Sequence, residues 1–141
     1  MAYKGQVTEA IFHQTLADTL DQWAKRPVPF LSRYHWGHIY IVQALTGQGV
    51  ERTLYAEAAQ VLTDVLNEAQ HHRPSRSYLA VALWKLEERR DAAHEHMARL
   101  EAEGRLAPSD PRFEPYIRRS LPYTDAALLT QLIKIWRDAA T

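Results

Sequence analysis

Cysteine is absent from the 141 residues. That excludes disulfide scaffolds, thiolate zinc sites, iron–sulfur clusters and cysteine nucleophiles. It also fits a reducing cytoplasm, the expected location. No apolar run approaches the roughly 20 residues that a membrane-spanning helix needs, so no membrane is expected among the partners. The opening MAYKGQVTEAIF has neither the apolar stretch nor the small-residue cleavage site of a secretion signal. It reads as the start of the mature chain. An excess of one charge is missing too, because 17 basic side chains balance 17 acidic ones. General nucleic-acid binders carry a basic excess, so nucleic acid is not the expected partner. The seven histidines turn the net charge positive as pH falls from about 7 to 5.

Several chemical signatures are missing as well. No Gly-x-Ser-x-Gly elbow is present for a serine hydrolase. Gly47-Gln48-Gly49 is too short to cradle phosphates and lacks a lysine. No HExxH context supplies a zinc-bound catalytic site. Carboxylate pairs such as Glu87-Glu88 stand in plainly solvated positions. No cofactor is expected. Alternation at period two is also lacking, which argues against a sheet.

What is present is helical periodicity in a chain of one-domain length, 46% apolar and 24% charged. Thr8 caps a first helix whose stripe is Phe12, Leu16, Leu20 and Trp23, stopped by Pro27 and Pro29. Phe30 to Leu45 is apolar on most sides and is therefore central. Glycine past its end, at Gly47, suits the left-handed conformation. A third helix runs from Thr53 to Gln70, and Pro74 prevents its continuation. Ser75 or Ser77 caps the next, with Tyr78, Leu79, Ala82, Leu83 and Leu86 inward. Another spans about Arg89 to Glu103, and Gly104 ends it. A short helix follows within Arg112 to Ser120, kinked or begun at Pro115. Thr124 caps the last, which buries Leu128, Leu129, Leu132, Ile133 and Trp136. The expected architecture is all-α, with five to seven antiparallel helices in a single domain over 1–141. An N-terminal helix (1–29) precedes successive helix pairs at 30–74, 75–105 and 106–141.

A triplet of acid, alanine and alanine recurs at period 34, as Glu57-Ala58-Ala59, Asp91-Ala92-Ala93 and Asp125-Ala126-Ala127. In stacked helix pairs such alanines face a neighbouring helix and permit close approach. Leu79, Ala80, Leu83 and Ala92 keep the spacing 7, 8, 11 and 20 used by tetratricopeptide repeats. The segment from Arg73 to about Gly104 therefore resembles that family, with Trp84 to Ala93 in place of its inter-helix turn. The resemblance implies a stack of helix pairs that binds another protein along a concave face. The departures are a longer loop at Thr46 to Arg52, the missing turn glycine near Glu87-Glu88, and Pro115 in the third unit. An irregular helical bundle is the alternative architecture.

On the repeat pattern the concave face carries Ser77, Val81, Trp84 and Lys85. The preceding unit adds Trp36, Tyr40 and Gln43, and the following unit adds Arg118 and Arg119. Such a groove is aromatic with a basic margin, suited to a peptide or an acidic patch of a partner protein. The expected function is a non-enzymatic protein-interaction module. The alanine–arginine–leucine composition looks bacterial, and suits an immunity protein, antitoxin, chaperone or adaptor. Two alternatives rest on histidines. Arg90 and His96 have the arginine-spacer-histidine form of HEPN ribonucleases, which act on RNA without metal. A solvated helix face also explains these residues. His35 and His38, three apart, have a spacing that brings two imidazoles to one metal or small molecule. The simpler reading is that His38 packs and His35 is solvated. His94 and His96 lie about 200° apart around a helix and cannot share an ion.

Overall fold

The computed structural model describes residues 30–103, 107–121 and 124–141. The expected first helix, with Phe12, Leu16, Leu20 and Trp23, lies outside the described residues, as does the expected helix stop at Gly104. Six α-helices and no strand occur among the described residues: α1 (Phe30–Leu45), α2 (Glu51–Glu68), α3 (Arg73–Lys85), α4 (Arg90–Ala102), α5 (Phe113–Ser120) and α6 (Ala126–Ala140). A single 3₁₀ turn, Glu87–Arg89, joins α3 to α4. The all-α class follows directly from the helical periodicity. None of these helices is long and apolar enough to cross a membrane.

Helix α3 is the centre of the fold. It packs against α1, α2, α4 and α6. The reason lies in its sequence, where Tyr78 to Leu83 is an unbroken run of buried residues, so that no face of this stretch is left for water. By contrast α2 and α6 bury one stripe each. In α2 the stripe is Tyr55, Ala58, Ala59, Leu62, Val65 and Leu66. In α6 every residue of the expected stripe, Leu128, Leu129, Leu132, Ile133 and Trp136, is buried.

The helix ends show where local chemistry won. After α1, Gly47 takes φ 72°, the Gly47 N–H reaches the Ala44 carbonyl at 3.3 Å, and the Gln48 N–H reaches the Gln43 carbonyl at 2.8 Å. This paired closure needs a left-handed residue, which only glycine supplies without a Cβ penalty. Helix α2 starts at Glu51, two residues before the expected Thr53. The expected serine cap of α3 is corrected: His72 is the N-cap, and Pro74 sits in the first turn, where its missing N–H costs nothing. Ser75 is instead fully buried and shares a 2.6 Å hydrogen bond with His72 Nδ1. Pro115 likewise lies in the first turn of α5, where proline is tolerated.

The third acid–alanine–alanine triplet also behaves differently from the other two. Asp125, not Thr124, is the N-cap of α6, and its carboxylate accepts from the N–H groups of Ala127 and Leu128. Ala126 and Ala127 then fall on the exposed side of the first turn. Glu57 sits two turns into α2, and its alanines are buried. The triplets share a spacing but not a structural position.

Candidate functional site

A cavity of about 280 Å³ opens between the start of α1, the first half of α3, the second half of α4, α5 and α6. Tyr34 comes from α1, and Pro74, Ser77 and Tyr78 from α3. Met97, Leu100 and Glu101 come from α4. Pro108, Phe113, Tyr116, Ile117, Ser120 and Leu121 close one side, and Trp136 forms the floor from α6. Each contribution follows from helical spacing. Ser77 and Tyr78 lie one turn beyond Pro74 on α3, Leu100 and Glu101 lie one turn beyond Met97, and Tyr116, Ile117 and Ser120 share a face of α5.

Aromatic contacts fix the walls. The Tyr78 ring lies 6.0 Å from Trp136, 6.1 Å from Tyr34 and 4.8 Å from His38. Phe113 meets Trp136 edge-on at 6.2 Å. The Trp136 indole N–H donates to the Ser77 carbonyl at 2.9 Å, which sets the ring plane. Polar contacts hold the outer wall. Arg137 Nε donates to the Pro108 carbonyl at 3.1 Å, and Arg118 bridges Glu114 at 2.8 Å and Thr130 at 3.0 Å. The α5 helix is short, and these ties anchor it to α6.

Two titratable groups near the cavity, Tyr34 and His38, are kept neutral by burial. The Tyr34 phenol is pushed up to about 12 by desolvation. His38 is lowered to about 4, by burial first and then by the nearby His35 imidazole. Its Nε2 is buried and has no hydrogen-bond partner among the described residues. His35 itself is exposed. His35 and His38, the alternative metal pair, therefore part, one to the surface and one into the aromatic core. No group of three or more histidine, aspartate or glutamate side chains among the described residues is arranged to hold a metal ion.

The residues expected along a concave face are scattered. Only Ser77 lines the cavity. Val81 has no exposed surface and belongs to the core. Trp36 and Tyr40 form a ring pair at 5.8 Å on α1, and half-buried Gln43 lies about one turn beyond Tyr40 on that helix. Trp84 lies under the Arg90 guanidinium, 4.4 Å from ring centroid to Cζ, and Arg90 Nε also donates to the Trp84 carbonyl at 3.0 Å. Lys85 and Arg119 are exposed, and neither lines the cavity. Arg118 is occupied by Glu114 and Thr130.

Arg90 and His96 are not brought together either. They are separated by about 9 Å of helix rise, and each is committed elsewhere, Arg90 to Trp84 and His96 to Arg76. His94 Nδ1 donates to the Ala139 carbonyl at 3.1 Å. The cavity residues that sequence reasoning missed, Tyr34, Met97, Tyr116 and Ile117, come from three helices whose apposition no local spacing encodes. Compared with protein-family models, curated proteins and solved structures, the chain matches none.

Proposed function

We propose that this chain is a non-enzymatic protein-interaction module, and that its partner anchors one side chain in the α1–α3–α4–α5–α6 cavity. The observation that carries the reading is the cavity itself, with five aromatic residues around about 280 Å³. Aromatic pockets that accept a single large side chain are the usual centre of a protein interface. The volume lies just below the roughly 300–1,000 Å³ of sites for drug-sized ligands, which favours one anchor over an enclosed small molecule. Exposed Tyr116 at the rim adds a residue type enriched at such interfaces. Roles as an immunity protein, antitoxin, chaperone or adaptor all fit this chemistry.

The test is photocrosslinking from p-benzoylphenylalanine at position 116 in the source cells, followed by binding measurements with the purified captured protein. Ser120→Trp, which fills the mouth of the cavity, is expected to weaken binding at least tenfold. Ala56→Trp, on the exposed side of α2, is expected to leave it within twofold. The double change Trp84→Ala with Lys85→Glu separates the cavity from the groove expected by repeat spacing, and should also leave affinity within twofold. Absence of any crosslinked protein, or unchanged affinity for the Ser120→Trp chain, overturns the proposal.

A further inference from the structure

We propose that the anchor taken by the cavity is a basic side chain of the partner protein, an arginine or a lysine, with its alkyl stem along the aromatic walls and its cationic head beside Glu101. The inference rests on the reading of the cavity as a protein-binding site and adds the sign of the charge it recognises. No lysine, arginine or histidine lines the cavity among the described residues. Glu101 does line it, half-buried, and makes no ion pair or hydrogen bond among the described residues. Its neighbour Glu103 is balanced, 3.7 Å from Arg73 and 3.4 Å from Arg99. Among the described residues, Glu101 is thus the carboxylate of this helix end left without a counter-charge.

Two further features act in the same direction. Glu101 lies in the last turn of α4, where unpaired carbonyls add negative potential. Tyr78 and Trp136 both line the cavity, and an aromatic ring attracts a guanidinium or ammonium that meets its face. Met97 and Leu100 give the alkyl stem an apolar track, as long basic side chains require when their heads stay polar. An acidic anchor would meet Glu101 with no cation among the described lining residues to answer it. A wholly apolar anchor would desolvate that carboxylate without a partner, which is costly. The basic residues assigned by spacing to an acidic partner, Lys85, Arg118 and Arg119, do not line the cavity, so the charge expected of the partner reverses at this site.

The experiment titrates the full chain with three capped amino acids and follows the Trp136 indole signal by NMR, assigned through Trp136→Phe. The probes are N-acetyl-arginine methylamide, its neutral isostere N-acetyl-citrulline methylamide, and N-acetyl-leucine methylamide. The arginine probe is expected to bind at least tenfold more tightly than citrulline. Glu101→Gln should bring the two within twofold, and Ser120→Trp should abolish the shift. Equal binding of arginine and citrulline, or tighter binding of leucine, overturns the charge inference and leaves the cavity reading standing. No perturbation of Trp136 by any of the three overturns both.

Discussion

Arg76 on α3 donates through Nη1 to Nδ1 of His96 on α4, at 2.8 Å. This contact stands where a buried arginine ordinarily has a carboxylate. Arg76 is 5% exposed, and its other terminal nitrogen donates to the Gln70 carbonyl at 2.8 Å. Glu103 favours the guanidinium charge only through space. Since Arg76 can only donate, His96 must present a bare Nδ1 and carry its proton on Nε2. Burial lowers His96 to about 4, and the charges of Arg76, Arg99 and Arg89 act the same way.

A pH dependence of stability follows, and its sign is fixed. Both His96 and His38 are held near 4 in the folded chain, against an ordinary value of 6.5. Between those values the unfolded chain binds protons that the folded chain refuses, so stability falls as pH falls from about 6.5 to 4. Above that window it is flat, and below it this loss is complete. The loss from the two together is on the order of 3–5 kcal/mol, with His96 discounted for its partial exposure. Urea unfolding at pH 7.5, 6, 5 and 4.5 measures it, and the slope between 7.5 and 6 lies above the range where carboxylates titrate. His96→Gln keeps an acceptor for Arg76 and should flatten part of the slope. His96→Phe should cost about 1–3 kcal/mol at pH 7.5 by stranding a buried donor. Equal stability at pH 7.5 and 4.5 would show the histidines are not buried neutral.

The α1–α2 contact makes Gly37 a second test. A Cβ at position 37 would lie 2.6 Å from both Cγ and Cδ2 of Leu62. Leu62 is fully buried and has no free side to move into. Gly37→Ala gains up to about 1 kcal/mol of helix propensity, but overpacking a filled interface costs about 1–3 kcal/mol. The net expectation is a loss of about 1–2 kcal/mol in urea unfolding, at the upper end of that cost. Gly37→Ala combined with Leu62→Ala should be less harmful than the sum of the two single changes, because the second makes room for the first. A stabilised Gly37→Ala chain would mean that α1 and α2 sit farther apart.

How much of this was legible in the sequence depends on the range of the interaction. The α6 stripe, the inward run of α3 and the closure at Gly47 are local patterns, and all three are present as read. Caps were less legible. Thr124 and Asp125 are adjacent and both are good cap residues, and the carboxylate that reached two N–H groups won. Buried Ser75 and Arg76 were hidden because polar residues read as surface until a partner such as His72, His96 or the Gln70 carbonyl is in place. The cavity was least legible. Its walls come from helices far apart in sequence, and residues such as Met97 and Ile117 look like ordinary core until the helices are assembled.

Tyr55 supplies the last test. Its side chain is 1% exposed, and its hydroxyl has no hydrogen-bond partner among the described residues. Burial, and then the Glu51 carboxylate, push the phenol above its ordinary range, so it stays protonated and keeps an unanswered donor. A buried donor without an acceptor costs about 1–3 kcal/mol, whereas the ring itself fills core volume and stabilises. Tyr55→Phe removes the first and keeps the second. It should raise stability by about 1 kcal/mol in chemical denaturation, the low end of that cost because the cavity left by one oxygen is small. Tyr55→Ala, which removes the ring as well, should cost about 3–5 kcal/mol. If Tyr55→Phe instead lowered stability by more than about 0.5 kcal/mol, the hydroxyl must have an acceptor in solution, since losing one hydrogen bond costs about that much.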